Sequence, residues 1–166
     1  RKSGMPYTEH PLEVAKILAD LQLDTASVLA ALLHDVVEDT EHTLKELTEM
    51  FGEETAFMVD AVTKISAVQK QKNKDAEKAE TYRKLVNAMA KDPRVLLIKI
   101  ADRLHNMRTM RYMKPEKRQS IAQETLDIYV PLTHRFGLYK FKSELEDLSF
   151  KYVNPVEYQK IVDALI

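Results

Sequence analysis

The chain has no cysteine, and only three glycines and six prolines among 166 residues. Without cysteine there is no disulfide framework, no thiolate metal site and no cysteine nucleophile, and a cytoplasmic protein is the expectation. No apolar run approaches the roughly 20 residues needed to cross a bilayer, and no signal-peptide pattern is present, so no membrane partner is expected. A dominant charge is missing too. Charged residues make up 31% of the chain and the formal net charge is -1. That balance lacks the large single-sign field of nucleic-acid binders, so direct nucleic-acid binding is not expected and any polyanionic ligand must be met by local basic groups. The sequence opens on Arg1-Lys2-Ser3-Gly4 without an initiator methionine, and it reads as a fragment of a longer chain.

What is abundant is Ala, Leu, Lys and Glu between the few breakers, and these are strong helix formers. An all-α, compact multi-helix domain is predicted, at a length sufficient for one core. Pro11 suits the first position of a helix over Leu12 to Leu21, with His10 at its cap. Asp24 or Thr25 can cap a second helix, whose run Val28, Leu29, Leu32, Leu33 continues into Val36 and Val37 and should be mostly buried. Thr43 and Glu46 form a capping-box pattern for a short helix ending near Gly52, followed by a longer helix from Glu53 to about Ile65. Gln69 to Glu80 is nearly all charged or amide and reads as a solvated loop. After Asp92-Pro93, the run Val95, Leu96, Leu97, Ile98, Ile100 should pass through the core and end in the polar cluster from Ala101 to Asn106. Pro115, Pro131 and Pro155 mark later helix starts, and Gly137 a break.

Chemistry concentrates at His34-Asp35-Val36-Val37-Glu38-Asp39, where four ionisable groups close an apolar helix. Buried charge normally pairs or binds metal. On a continuous helix His34 stacks with Glu38 and Asp35 with Asp39, giving two adjacent polar rows. Read alone, the hexapeptide is also what a capped, salt-bridged helix end looks like; His10 is also an ordinary cap residue, and Asp102 an ion-pair partner for Arg103. Together His10, His34, Asp35 and Asp102 form a coherent ligand set for Mn²⁺, Mg²⁺, Fe²⁺ or Zn²⁺. Such an ion acidifies bound water and neutralises phosphoryl oxygens, while Glu38 and Asp39 are candidates to orient or deprotonate the water. Arg1, Lys2, Lys64, Lys99, Arg103 and Arg108 are the basic groups available to phosphate.

Several long motifs in one order then carry a resemblance over nearly the whole chain: RKSGMPYTEHP at its start, ALLHDVVEDT, VTKI, KIADRLHNMRT, YVPLTHRFG and ELEDLSFKY. They resemble the RelA/SpoT homologues, which make and degrade ppGpp and pppGpp and whose hydrolase domain belongs to the HD phosphohydrolase superfamily. The resemblance implies an all-helical domain that removes the alarmone's 3′-pyrophosphate, normally with Mn²⁺. It places the metal ligands on His10, His34, Asp35 and Asp102, and the water-activating acids on Glu38 and Asp39. It matches Arg1, Lys2 and Asn106 to nucleotide contacts, Arg1 by stacking on guanine, with Lys64, Arg103 and Thr109 as further substrate-binding residues. Met5, Thr8, Glu9 and Ala61 depart from the family's usual residues, at positions that bear on loop shape and substrate contacts. Both the His-Asp and Glu-Asp pairs are present, as in hydrolase-competent members. The last third is similar to long bifunctional members, implying a hydrolase domain over 1–136 and C-terminal helices over 137–166 that lead toward an absent synthetase domain, with regulatory domains beyond. His134 and Arg135 are then a structural bridge. Two other readings are another HD nucleotide phosphohydrolase, and a nucleotide-binding module that controls an attached synthetase.

Overall fold

The computed structural model describes residues 6–68 and 74–165, and every regular element among them is helical. In chain order these are α1 (Glu9–Asp20), α2 (Thr25–Leu33), α3 (Val36–Asp39), α4 (Leu44–Phe51), α5 (Glu53–Val68), α6 (Lys74–Lys91) and α7 (Pro93–Arg108). A 3-10 turn at Met110–Tyr112 leads to α8 (Pro115–Glu124), a π-helical turn (Thr125–Tyr129), α9 (Val130–Arg135), α10 (Tyr139–Val153) and α11 (Pro155–Ala164). The chain divides into two compact units within α7, the first running to Asp102 and the second from Arg103.

In the first unit α2 packs against both α1 and α5, and α5 in turn against α4 and α6. The residues that α2 buries are small, Ser27, Ala30 and Ala31, which lets its backbone approach its neighbours closely. The expected stripe of Val28, Leu29, Leu32, Leu33, Val36 and Val37 is only half-buried. Helical spacing identifies an apolar face, but not which part of it faces the neighbouring helices. The Thr43–Glu46 capping box forms as expected: the Thr43 hydroxyl accepts from the Glu46 amide at 3.3 Å, and Glu46 accepts from the Thr43 amide at 2.7 Å. Gly52, with φ +87°, closes α4 in a conformation that side chains with a Cβ rarely adopt.

The charged stretch departs from expectation. Residues 69–73 lie outside the described residues, but Lys74 to Glu80 form the start of α6. Alanine, lysine and glutamate are good helix formers, so a charged stretch of this composition is compatible with a helix. Thr81 and Leu85 anchor the helix inward, each 1% exposed. α7 crosses the core as expected, burying Val95, Leu96, Ile98 and Ile100, with Leu97 half-buried.

In the second unit α10 packs against α8, α9 and α11 and buries Leu145 and Ser149. Pro115 and Pro155 stand at the first turns of α8 and α11, where a missing N–H costs nothing. Gly137, φ +68°, ends α9, donating to the His134 carbonyl while the Leu138 amide reaches back to Thr133. This turn is where the sequence reading placed its boundary between residues 136 and 137, whereas the compact units part at Asp102 and Arg103.

Candidate metal centre

Three helices deliver four polar side chains to one place in the first unit. α1 begins at Glu9, two residues before the expected Pro11, so His10 lies in its first turn rather than at the cap and is 1% exposed. α2 closes at Leu33, and His34 and Asp35 occupy the turn between it and α3. Asp102 projects from α7.

His10 Nε2 lies 3.0 Å from Asp102 Oδ1 and 4.0 Å from Asp35 Oδ2. His34 Nε2 lies 3.1 Å from Asp35 Oδ1 and 3.8 Å from Asp102 Oδ1. Ligand atoms that each sit about 2.0–2.2 Å from one cation must lie roughly 3–4.4 Å from one another, so these separations already suit a shared ion. Among the described residues His10, His34 and Asp102 form the buried group with metal-binding spacing, and Asp35 adjoins it.

The histidine orientations support the same use. His34 Nδ1 lies 2.7 Å from the Ala31 carbonyl, and an N–H donated there leaves Nε2 as the bare, ligating nitrogen. That Nε2 is buried and has no hydrogen-bond partner. Its 3.1 Å approach to Asp35 is therefore close but not aligned as a hydrogen bond. A buried polar atom left in this way is costly, and a cation bridging the four groups would satisfy it.

Without a cation the cluster is held by its own charges. Burial pushes the Asp102 carboxyl up, but the Lys99 ammonium and the two histidines outweigh it and hold the group well below the usual carboxylate range. Burial likewise opposes ionisation of Asp35, yet His34 draws it below its ordinary value. Burial pulls His34 down, and the adjoining Asp35 carboxylate together with the Asp102 charge more than reverses this, raising it.

Lys99, one of the basic groups considered for phosphate, has another position. It is 3% exposed and donates to Asp102 Oδ2 at 2.8 Å and to Ser66 Oγ at 3.2 Å, locking the carboxylate's second oxygen. Its place three residues before Asp102 on an otherwise apolar helix was the available signal for this role. The Ala31 carbonyl was not legible in the sequence.

Glu38 and Asp39 close the single turn of α3, and both of their amides bond back to the Asp35 carbonyl, Glu38 at 3.2 Å and Asp39 at 2.9 Å. The two rows expected on one continuous helix are thus interrupted at His34-Asp35, which form a turn between α2 and α3. Glu38 is half-buried, and the exposed Asp39 accepts the Tyr7 hydroxyl at 2.6 Å.

The other anticipated contacts are not all gathered here. Arg1 and Lys2 lie outside the described residues. Lys64 is exposed on α5 and paired with Asp60 at 2.5 Å. In the second unit, Arg103 reaches Glu124 at 3.0 Å with its guanidinium carbon 4.3 Å from the Tyr129 ring centre, and the Thr109 hydroxyl donates to the His105 carbonyl at 3.0 Å. Asn106 is half-buried on α7. Arg108 is committed to Glu144, with bonds of 2.6 and 2.9 Å.

The HD domain family matches this chain over residues 1–139. A GTP pyrophosphokinase of Streptomyces coelicolor is 57% identical over 162 residues, covering 98% of this chain and 19% of that protein. A guanosine-3′,5′-bis(diphosphate) 3′-pyrophosphohydrolase of Aquifex aeolicus is 50% identical over 161 residues, covering 97% of this chain and 23% of that protein. The chain thus spans about a fifth of the length of the curated relatives it matches. A solved metazoan SpoT ortholog, described as hydrolysing ppGpp, shares the fold at a TM-score of 0.52 and 24% identity, over 98% of this chain and 83% of that one.

Proposed function

This chain belongs to the HD domain family, whose members are metal-dependent phosphohydrolases, and from that membership we propose that it removes the 3′-pyrophosphate of ppGpp or pppGpp in the stringent response. The observation that carries the reading is the buried His10, His34 and Asp102 group with Asp35 beside it and an unpartnered His34 Nε2. RelA/SpoT-type relatives at 50–57% identity supply the substrate class. No helix among the described residues is long and apolar enough to cross a membrane; the cytoplasmic setting is part of the proposal.

His10, His34, Asp35 and Asp102 would hold the cation, for which we propose Mn²⁺. When bound, such an ion supplies charge neutralisation for phosphoryl oxygens and acidifies a coordinated water. Lys99 keeps Asp102 ionised and aimed, and the Ala31 carbonyl keeps His34 Nε2 bare. Glu38 and Asp39 orient the attacking water and receive its proton. One water is consumed, the ribose 3′-hydroxyl is restored and pyrophosphate leaves with GDP or GTP. Arg1, Lys2, Lys64, Arg103, Asn106 and Thr109 are proposed nucleotide contacts; Arg103 and Thr109 would have to contribute while keeping the internal bonds described above. Residues 1–136 would form the hydrolase, with 137–166 leading toward synthetase and regulatory domains of a longer chain.

The purified chain with Mn²⁺ is expected to release pyrophosphate from ppGpp, followed by ion chromatography. Equal or faster turnover of a deoxynucleoside triphosphate would replace this substrate with another HD-type nucleotide. Binding of ppGpp without turnover in the presence of metal would instead mark a regulatory module.

Metal binding should depend on pH in a defined sense. In the metal-free protein His34 is raised above 6.5, so its stabilising contribution is complete below that value and is lost as pH rises through the raised one. Asp35 and Asp102 are depressed, so theirs is complete above the ordinary carboxylate value of 3.8 and is lost as pH falls through the depressed values. Because ligation displaces the His34 proton, apparent Mn²⁺ affinity should rise with pH up to the raised His34 value, by at most about tenfold per pH unit for one proton, and then level off. Calorimetric titration across about pH 6 to 8 would read this, and a flat profile would remove His34 from the ligand set.

A further inference from the structure

A groove of about 210 Å³ between α5 and α6 contains none of the four proposed metal ligands, although Lys64 on its α5 side is also among the nucleotide contacts proposed for that reaction. Phe57, Asp60 and Lys64 line it from α5, and Lys84, Asn87 and Lys91 from α6, over a floor of alanine and isoleucine side chains. Its lining thus includes three lysines and one aspartate, two more positive than negative side chains, in a chain whose net charge is -1.

The internal pairing leaves that surplus available. Asp60 is taken by Lys64 at 2.5 Å. Lys84 donates to the Lys64 backbone carbonyl at 3.3 Å and interacts only through space with Glu80, whose carboxylate is bonded to Arg83. Lys91, exposed at the end of α6, has no ion pair with any described residue. Like charges gathered along one groove repel one another, and an anion between them relieves the repulsion. The remaining lining does not fit a bare inorganic ion. Phe57 is 41% exposed and offers a ring face beside the apolar floor, and the Asn87 amide can both donate and accept. The volume is below the roughly 300–1,000 Å³ of sites that enclose a whole small molecule, so the groove takes one flat part of a ligand and leaves the rest at its charged rim.

We propose that this groove is a second nucleotide site, independent of the metal centre, that seats the base of a nucleoside diphosphate against Phe57 and its phosphates on Lys84 and Lys91. The probe is GDP, titrated into the chain in excess EDTA so that the metal centre is emptied, with inorganic pyrophosphate and guanosine as separate arms. GDP should bind more tightly than either alone. Joint replacement Lys84→Gln and Lys91→Gln should weaken GDP about tenfold or more, the scale of losing charge-assisted contacts. Phe57→Ala should bring GDP to the level of pyrophosphate. The substituted side chains lie at the helix surface, and unchanged helical circular dichroism would confirm folding. Failure of GDP to bind in EDTA, or binding indifferent to the lysine replacements, would overturn the site. Pyrophosphate binding as tightly as GDP with Phe57→Ala silent would reduce it to a simple anion sink. Hydrolysis of ppGpp with Mn²⁺, measured separately, stands or falls without reference to either result.

Discussion

His34→Ala is expected to abolish high-affinity Mn²⁺ binding and to lower ppGpp hydrolysis by about a thousandfold or more. The magnitude follows from what the imidazole does. Its Nδ1 faces the Ala31 carbonyl, and its buried Nε2 makes no hydrogen bond but stands among the Asp35 and Asp102 carboxylates at 3.1 and 3.8 Å, where a shared cation would sit. Loss of a residue that merely supports a ligand commonly costs about 10- to 100-fold, and loss of the ligand itself costs more. The informative comparison is the double replacement Glu38→Gln and Asp39→Asn. If these acids manage water rather than metal, that variant should keep stoichiometric Mn²⁺ by elemental analysis while turnover falls by roughly 10²- to 10⁴-fold. Loss of metal from the double variant would place the two acids in the ligand set. Near-normal turnover in His34→Ala would sink the proposed centre altogether.

Lys99→Met should produce the largest change in stability, and its size should depend on metal. Lys99 and Asp102 are 3% and 8% exposed and paired at 2.8 Å. Removing one partner from a buried pair typically costs about 3–5 kcal/mol, because the other charge stays buried. In the metal-free variant Asp102 would still face His10 at 3.0 Å and His34 at 3.8 Å, but without the ammonium that pairs with its second oxygen. A dication at the same carboxylate substitutes for the missing ammonium. Thermal unfolding should therefore show a large deficit for Lys99→Met in EDTA and a smaller one in excess Mn²⁺, because the variant, lacking the competing ammonium, binds the dication more tightly than the parent and each tenfold gain in affinity returns about 1.4 kcal/mol. A deficit unchanged by metal would mean that Lys99 contributes by packing its methylenes and not by charge.

Much of this was legible because local chemistry and tertiary use agreed. The Thr43–Glu46 box needs only its own four residues to form, and it formed. The apolar run of α7 had too little polarity for any exposed helix, so its burial followed from composition. Where readings failed, two states shared one signature. Lys74 to Glu80 is as compatible with an exposed helix as with a loop, and the choice went to the helix that Thr81 and Leu85 anchor inward. The uninterrupted helix through His34-Asp35 was a reasonable extrapolation of its apolar spacing. The chain instead turns there, a bend no pattern of residue types encodes.

The sequence by itself determined which atoms were available: no thiolate, two histidines and two aspartates at polar points in apolar surroundings, and a neighbouring Glu-Asp pair. Residue type decides ligand chemistry, and that survives any folding. Only the tertiary structure decided that His10, His34 and Asp102, drawn from three helices, approach within a cation's reach, and that Lys99 serves Asp102 instead of a phosphate. Those facts depend on how small residues let helices close on one another and on which buried charge finds which partner. Contacts across 92 residues, such as His10 to Asp102, are set by packing that local spacing does not describe.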